Sequence, residues 1–120
     1  MVACRSSGFL TSDTLIRSGQ CKLVSVHAVN VSANSSGTGA GNAVTLNLYD
    51  NTAASGTIVA KIHLSGTNDG TNFFGTTFEM DLHGVICQNG LYADIVIPAA
   101  VAGGHSNQNS ATSGFVINFA

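Results

Sequence analysis

The residues of this 120-residue chain best suited to chemistry are four histidines and three cysteines, and their spacing argues against joint action. His27, His63, His83 and His105 stand in separate segments, with no i, i+2 or His-x3-His pair to put two imidazoles on one metal. They read as outward-facing strand or loop histidines; the alternative is a metal shared by subunits about a symmetry axis. Cys4, Cys21 and Cys87 are odd in number and widely spaced, so neither a disulfide framework nor a zinc site is indicated. Buried reduced thiols are expected. Serines abound, but no nucleophile-elbow sequence sets one against a histidine and a carboxylate. The run Gly37-Thr38-Gly39-Ala40-Gly41 has the composition of a phosphate loop, yet it leads into a strand and lacks a helix N-terminus to hold an anion. Thr67–Asn72 offers calcium one carboxylate, Asp69, where a hard cation wants six or more oxygens, so a tight turn is expected. Asn30-Val31-Ser32 and Asn34-Ser35-Ser36 match the glycosylation pattern by chance in a chain rich in Asn and Ser without a secretory signal. The expectation is a non-enzyme with no catalytic residue, no cofactor and no metal site.

Composition points the same way. Only 8% of residues are charged, against about 25% in an ordinary domain, while Gly, Ser, Thr and Asn together occupy 49 of 120 positions. A surface of hydroxyls, amides and bare backbone repels its neighbours weakly and suits burial in an assembly. The net charge of −2 gives no basic footprint, so nucleic acid is not an expected partner. Residues 1–61 carry Arg5, Arg17, Lys22 and Lys61 against Asp13 and Asp50; residues 62–120 carry only Asp69, Glu79, Asp81 and Asp94. That asymmetry is either a solvated scatter or a pair of complementary faces for self-association. No apolar run approaches the 18 or so residues of a membrane span, and the N-terminus lacks the order of a signal peptide. Synthesis in a cytoplasm and no membrane partner are expected.

The elements that would carry these residues are strands. Period-two alternation puts Val44, Leu46 and Leu48 on one face of 43–50, and Ile58, Ala60, Ile62 and Leu64 on one face of 57–64. It does the same for Phe74, Phe78, Met80 and Leu82 in 74–82, and for Leu91, Ala93, Ile95 and Ile97 in 91–97. Lys22–Val31 is apolar on both faces, which suggests a central strand or one covered by a neighbouring subunit. Gly114–Phe119 closes the chain, and 8–16 and 84–88 are plausible shorter strands. Asn89-Gly90 reads as a type I′ hairpin. Two long loops, 32–42 and 98–113, are rich in small residues. The 120 residues fit one all-β domain, an antiparallel β-sandwich of about eight strands, with jelly-roll-like and immunoglobulin-like topologies both open. Residues 1–19 are either its first strand or an N-terminal arm. Stacking on sugars needs outward aromatics, and in a chain without Trp only Tyr49, Tyr92 and Phe73 qualify.

The stretches KLVSVHAVNV (22–31), AVTLNLYDNTAASGTIVAKIHL (43–64) and NGLYADIVI (89–97) resemble a widespread class of small β-rich virion proteins of tailed bacteriophages. In that class a "KLVSVHV" strand, an "LNLYD" strand, a "SGT-VAKI" return strand and a late "NGLY-DI" hairpin recur. The likeness spans roughly Cys21–Ile97 and carries no catalytic signature. It implies a virion structural protein: a capsid decoration or cement protein that bridges major capsid subunits, with a neck, tail or fibre-associated subunit as the alternative. A glycan-binding module for host attachment is a third reading. Under the first, Phe9, Leu10, Leu15 and Ile16 would bury on a neighbour and Arg5 and Arg17 would meet acidic capsid sites, with Tyr49 and Tyr92 as further partner-binding residues. A homo-oligomer is expected, a trimer favoured, located in the virion after synthesis in the host cytoplasm.

Overall fold

Alternating apolar residues can bury only one face of a strand, so these segments pair into sheets and press their apolar faces together. The computed structural model describes residues 3–31, 43–65, 67–68, 73–74, 76–97 and 113–120. Ten strands occur there: β1 (Arg5–Leu10), β2 (Thr14–Ser18), β3 (Cys21–Asn30), β4 (Val44–Tyr49), β5 (Ile58–Leu64), β6 (Thr67–Asn68), β7 (Phe73–Phe74), β8 (Thr76–Cys87), β9 (Gly90–Val96) and β10 (Gly114–Phe119). Two four-stranded antiparallel sheets, β1-β10-β3-β8 and β2-β9-β4-β5, form the sandwich, and β6 and β7 make a two-residue ladder beside it. The described residues contain no helix.

Connectivity decides the topology. Setting β6 and β7 aside, successive strands alternate between the sheets except at β4 and β5, which pair within one sheet. This is the jelly-roll order of two interlocked Greek keys. An immunoglobulin-like sandwich keeps its first two strands in one sheet, whereas β1 and β2 lie in different sheets here. The core comes chiefly from the four interior strands: Leu23 and Val26 of β3, Leu46 and Leu48 of β4, Leu91 and Ala93 of β9, Phe115 and Ile117 of β10 are all fully buried. Each large aliphatic side chain among them contributes roughly 1.5–3 kcal/mol.

Bulges correct several of the expectations. β3 is indeed an interior strand, but its two apolar faces come from a phase change: Cys21 and Leu23 point inward, then Val26 and Ala28. Opposite it, residues 74–82 and 84–88 do not form two strands. Thr76–Cys87 is continuous, with extra residues between Asp81 and Val85 bulged against β3. His83 (φ 51°) and Gly84 (φ 86°) adopt left-handed backbone there, and the His83 amide donates to Asp81 Oδ1 at 3.0 Å. Phe78 pairs with Ala28 but lies on an edge strand and is 43% exposed. In β5 a bulge beside Tyr49 turns Val59 toward the core and Ile58 outward, against the faces assigned to those two residues, while Ala60, Ile62 and Leu64 face the core as expected. Residues 8–16 divide into β1 and β2, one at the edge of each sheet.

Asn89-Gly90 is not a hairpin turn, since β8 and β9 belong to different sheets. The amides of Gln88, Asn89 and Gly90 instead donate to the Asp50 carboxylate at 3.0, 2.7 and 3.3 Å. A Cβ at Gly90 would meet the backbone oxygens of Asn51 and Arg17 at 2.8 and 2.9 Å, so only glycine fits this crossing. The expectations for loops 32–42 and 98–112, for Asp69 and His105, for the Asn34 sequon and for the Phe73 side chain fall outside the described residues.

Candidate functional site

Sheet register determines which side chains become neighbours on the outer surface. On the outer face of β2-β9-β4-β5, Tyr49 pairs directly with Tyr92, Tyr92 with Leu15 of β2, and Tyr49 with Ile58 of β5. The result is a row across all four strands: Leu15, Tyr92, Tyr49, Ile58. The tyrosines are half-buried, while Leu15 and Ile58 are 47% and 45% exposed. The next outward row is Asp94, Asn47, Lys61. Asn47 Nδ2 donates to Asp94 Oδ2 at 3.2 Å, and Asn47 Oδ1 is buried with no partner among the described residues. Beyond it lie Val96, Thr45 and His63, with Thr45 Oγ1 and His63 Nδ1 3.2 Å apart. At the β2 end of this face Asp13 Oδ1 accepts the Ile95 amide at 2.8 Å and joins the β1–β2 crossing to β9.

The outer face of β1-β10-β3-β8 carries a second row: Phe9, Val116, His27, Glu79. Phe9 is half exposed, and its ring lies over Gly114, where a Cβ would meet ring carbon Cζ at 2.7 Å and the Leu10 carbonyl at 2.5 Å. Glycine there lets an aromatic ring lie against the sheet. Phe9, His27, Phe78, Glu79 and Val116 border an open groove of about 260 Å³. His27 Nδ1 and Glu79 Oε1 are 3.9 Å apart at an exposed position.

Arg5 and Arg17, on different sheets, come together at one end of the sandwich. Both are exposed and line a cleft of about 230 Å³ with Gln20 and Phe119. Two arginines lining one cleft suit carboxylates from a partner. The remaining expected contact residues divide: Leu10 and Ile16 pack against the chain's own core, while Phe9 and Leu15 point outward. Residues 3–19 are thus built into the sandwich edges and do not extend away as an arm.

Three groups have chemistry set by their surroundings. Cys21 and Cys87 are register partners in β3 and β8, both buried and both free thiols. Burial pushes the Cys87 thiol up to about 12, with nearby Cys21 and Asp50 adding to the effect, and burial likewise raises Cys21. These thiols stay protonated, as the sequence suggested; Cys4, by contrast, is exposed. Asp50 is held below the usual carboxylate range by the Asn89 and Gln88 amides, with a smaller effect from Gly90. Among the described residues no three His, Cys, Asp or Glu side chains group to hold a metal.

Comparison with family models, with curated proteins and with solved structures returns no match. The site therefore rests on its own geometry. Leu15, Ile58, Asn47 and Lys61 join the tyrosines only through register, and alternation alone assigned Ile58 to the core. The one signal that could have found the row is the pair of outward tyrosines, each beside a strand end.

Proposed function

We propose that this chain is a non-enzymatic structural subunit of a tailed-phage virion, a capsid decoration or cement protein that bridges major capsid subunits. The observation that carries the reading is the distribution of exposed apolar groups. Phe9, Leu15, Ile58, Phe78, Ile86 and Val96 are all more than 40% exposed and are spread over both sheets of a sandwich with few charges. A subunit wedged between several neighbours needs apolar contact on more than one side, and a neutral polar rim to hydrogen-bond around it. The Arg5–Arg17 cleft adds a site for acidic groups of a capsid subunit. Jelly-roll sandwiches serve as capsid domains, a fold-level analogy that is consistent with this reading. The resemblance over 22–97 supplies the phage context.

Imaging virions assembled without the chain tests the proposal. Loss of density across the capsid lattice, with heads that rupture more readily, is expected. Intact heads lacking a neck, tail or fibre feature would move the subunit to that location. The Tyr49–Tyr92 pair favours a second reading, since adjacent outward rings can stack on a sugar face. Saturable binding on a glycan array, abolished by Tyr49→Ala or Tyr92→Ala, would establish it.

A further inference from the structure

We propose that two copies of this chain pair through the outer face of the β2-β9-β4-β5 sheet, about a two-fold axis running along the strands between β9 and β4. This does not rest on the virion reading. The aromatic row runs Leu15, Tyr92, Tyr49, Ile58 from edge to edge, so its chemistry is the same read from either side. An in-plane two-fold exchanges the two halves of the face. Each Tyr92 then meets the partner's Tyr49, and each Leu15 meets the partner's Ile58.

The charges have the opposite symmetry. Asp13, which precedes β2, and Asp94 of β9 lie on one half, Arg17 of β2 lines the end cleft, and Lys61 lies on β5. The same rotation that matches like apolar groups brings the acidic half of one copy over the basic half of the other. Both conditions are what an isologous interface requires, because one patch must complement itself. Twisted sheets pack face to face in near alignment, which keeps these rows in register near the axis.

The size of the face sets the affinity. Four strands at ~4.8 Å spacing, each about six residues at ~3.3 Å, give a footprint of ~400 Å² per copy. Over both copies that is ~800 Å², about half a standard interface, so the pairing is weak and transient and is expected only toward the upper end of the micromolar range. The pair is a dimer, not the trimer that the family resemblance suggests.

Sedimentation of the full chain across roughly 1–500 μM tests this. The wild type is expected to shift from monomer to dimer with concentration. Lys61→Asp leaves only acids in the charged row beyond the tyrosines and Asp94→Lys makes that row mainly basic, so each variant alone is expected to weaken pairing by about thirtyfold or more. An equimolar mixture of the two variants opposes acidic to basic faces and is expected to dimerise again, as a heterodimer. Circular dichroism melts of both variants check that the fold is kept. A wild type that stays monomeric to ~500 μM, a trimer, or a dimer indifferent to both reversals would overturn the proposal.

Discussion

Asn30 joins the two sheets from inside the molecule. It is fully buried at the end of β3, and its Nδ2 donates to the Leu64 carbonyl of β5 at 2.7 Å. Its Oδ1 accepts from the Ser113 hydroxyl at 3.4 Å, and that hydroxyl accepts the Val31 amide at 2.9 Å. Asn30→Ala removes the amide and leaves the buried Leu64 carbonyl without its Asn30 donor. An unsatisfied buried acceptor costs about 1–3 kcal/mol, and with the cavity left by the deleted side chain ~3 kcal/mol in total is expected. Against a typical stability of roughly 5–15 kcal/mol that is a large share, and it lowers Tm by about 12 °C in a chain of this size. Asn30→Asp is the sharper probe, because it keeps the shape and changes only the donor. A protonated carboxyl can still donate to Leu64; an ionised one sets negative charge against a carbonyl in the core. Burial raises the folded-state pKa of such an Asp above its unfolded value of about 3.9. The unfolded chain then releases its proton first, and the deficit grows by up to ~1.4 kcal/mol per pH unit until the folded pKa is passed. Urea unfolding at pH 4 and pH 7, followed by circular dichroism, measures both effects. An Asn30→Ala variant within ~0.5 kcal/mol of wild type, or an Asn30→Asp deficit that ignores pH, would refute the bridge.

The other titrations run in defined directions. Because Asp50 is held below its ordinary pKa, its contribution is fully present above the unfolded value of about 3.9 and is lost as pH falls through the folded pKa. Urea midpoints of wild type and Asp50→Asn should differ at pH 7 and converge near pH 2. The two buried thiols act at the other end of the scale. With Cys87 raised to about 12, stability should decline as pH rises above roughly 9, and Cys87→Ala should remove most of that alkaline slope. In native protein at pH 8 a thiol reagent should label Cys4 and spare Cys21 and Cys87 until denaturant is added, as mass spectrometry would report.

Much of the fold was legible because alternation is a local property. The positions of β4, β9 and β10 follow from their own side chains, and so do the buried faces of Val44, Leu46, Leu48, Leu91 and Ala93. Where the chain bulges, local alternation misleads. Ile58 carries a core pattern yet points outward, and in β3 the offset against β8 puts Leu23 and Val26, three residues apart, on the same inward face. Asn89-Gly90 failed for a related reason: a turn sequence states how the backbone bends and leaves open which sheet receives the next strand. The bend here is held by Asp50, 39 residues away in sequence from Asn89, which takes its amide.

By itself, then, the sequence determined an all-β chain, the positions of its unbulged strands and a composition poor in charge, since each depends on residue type and spacing along the backbone. Only the tertiary structure decided the jelly-roll order, the Tyr49–Tyr92 row with Leu15 and Ile58, and the meeting of Arg5 with Arg17. Those features depend on which strands lie side by side. Long-range pairing is settled by packing the core as a whole, and no stretch of sequence contains it alone.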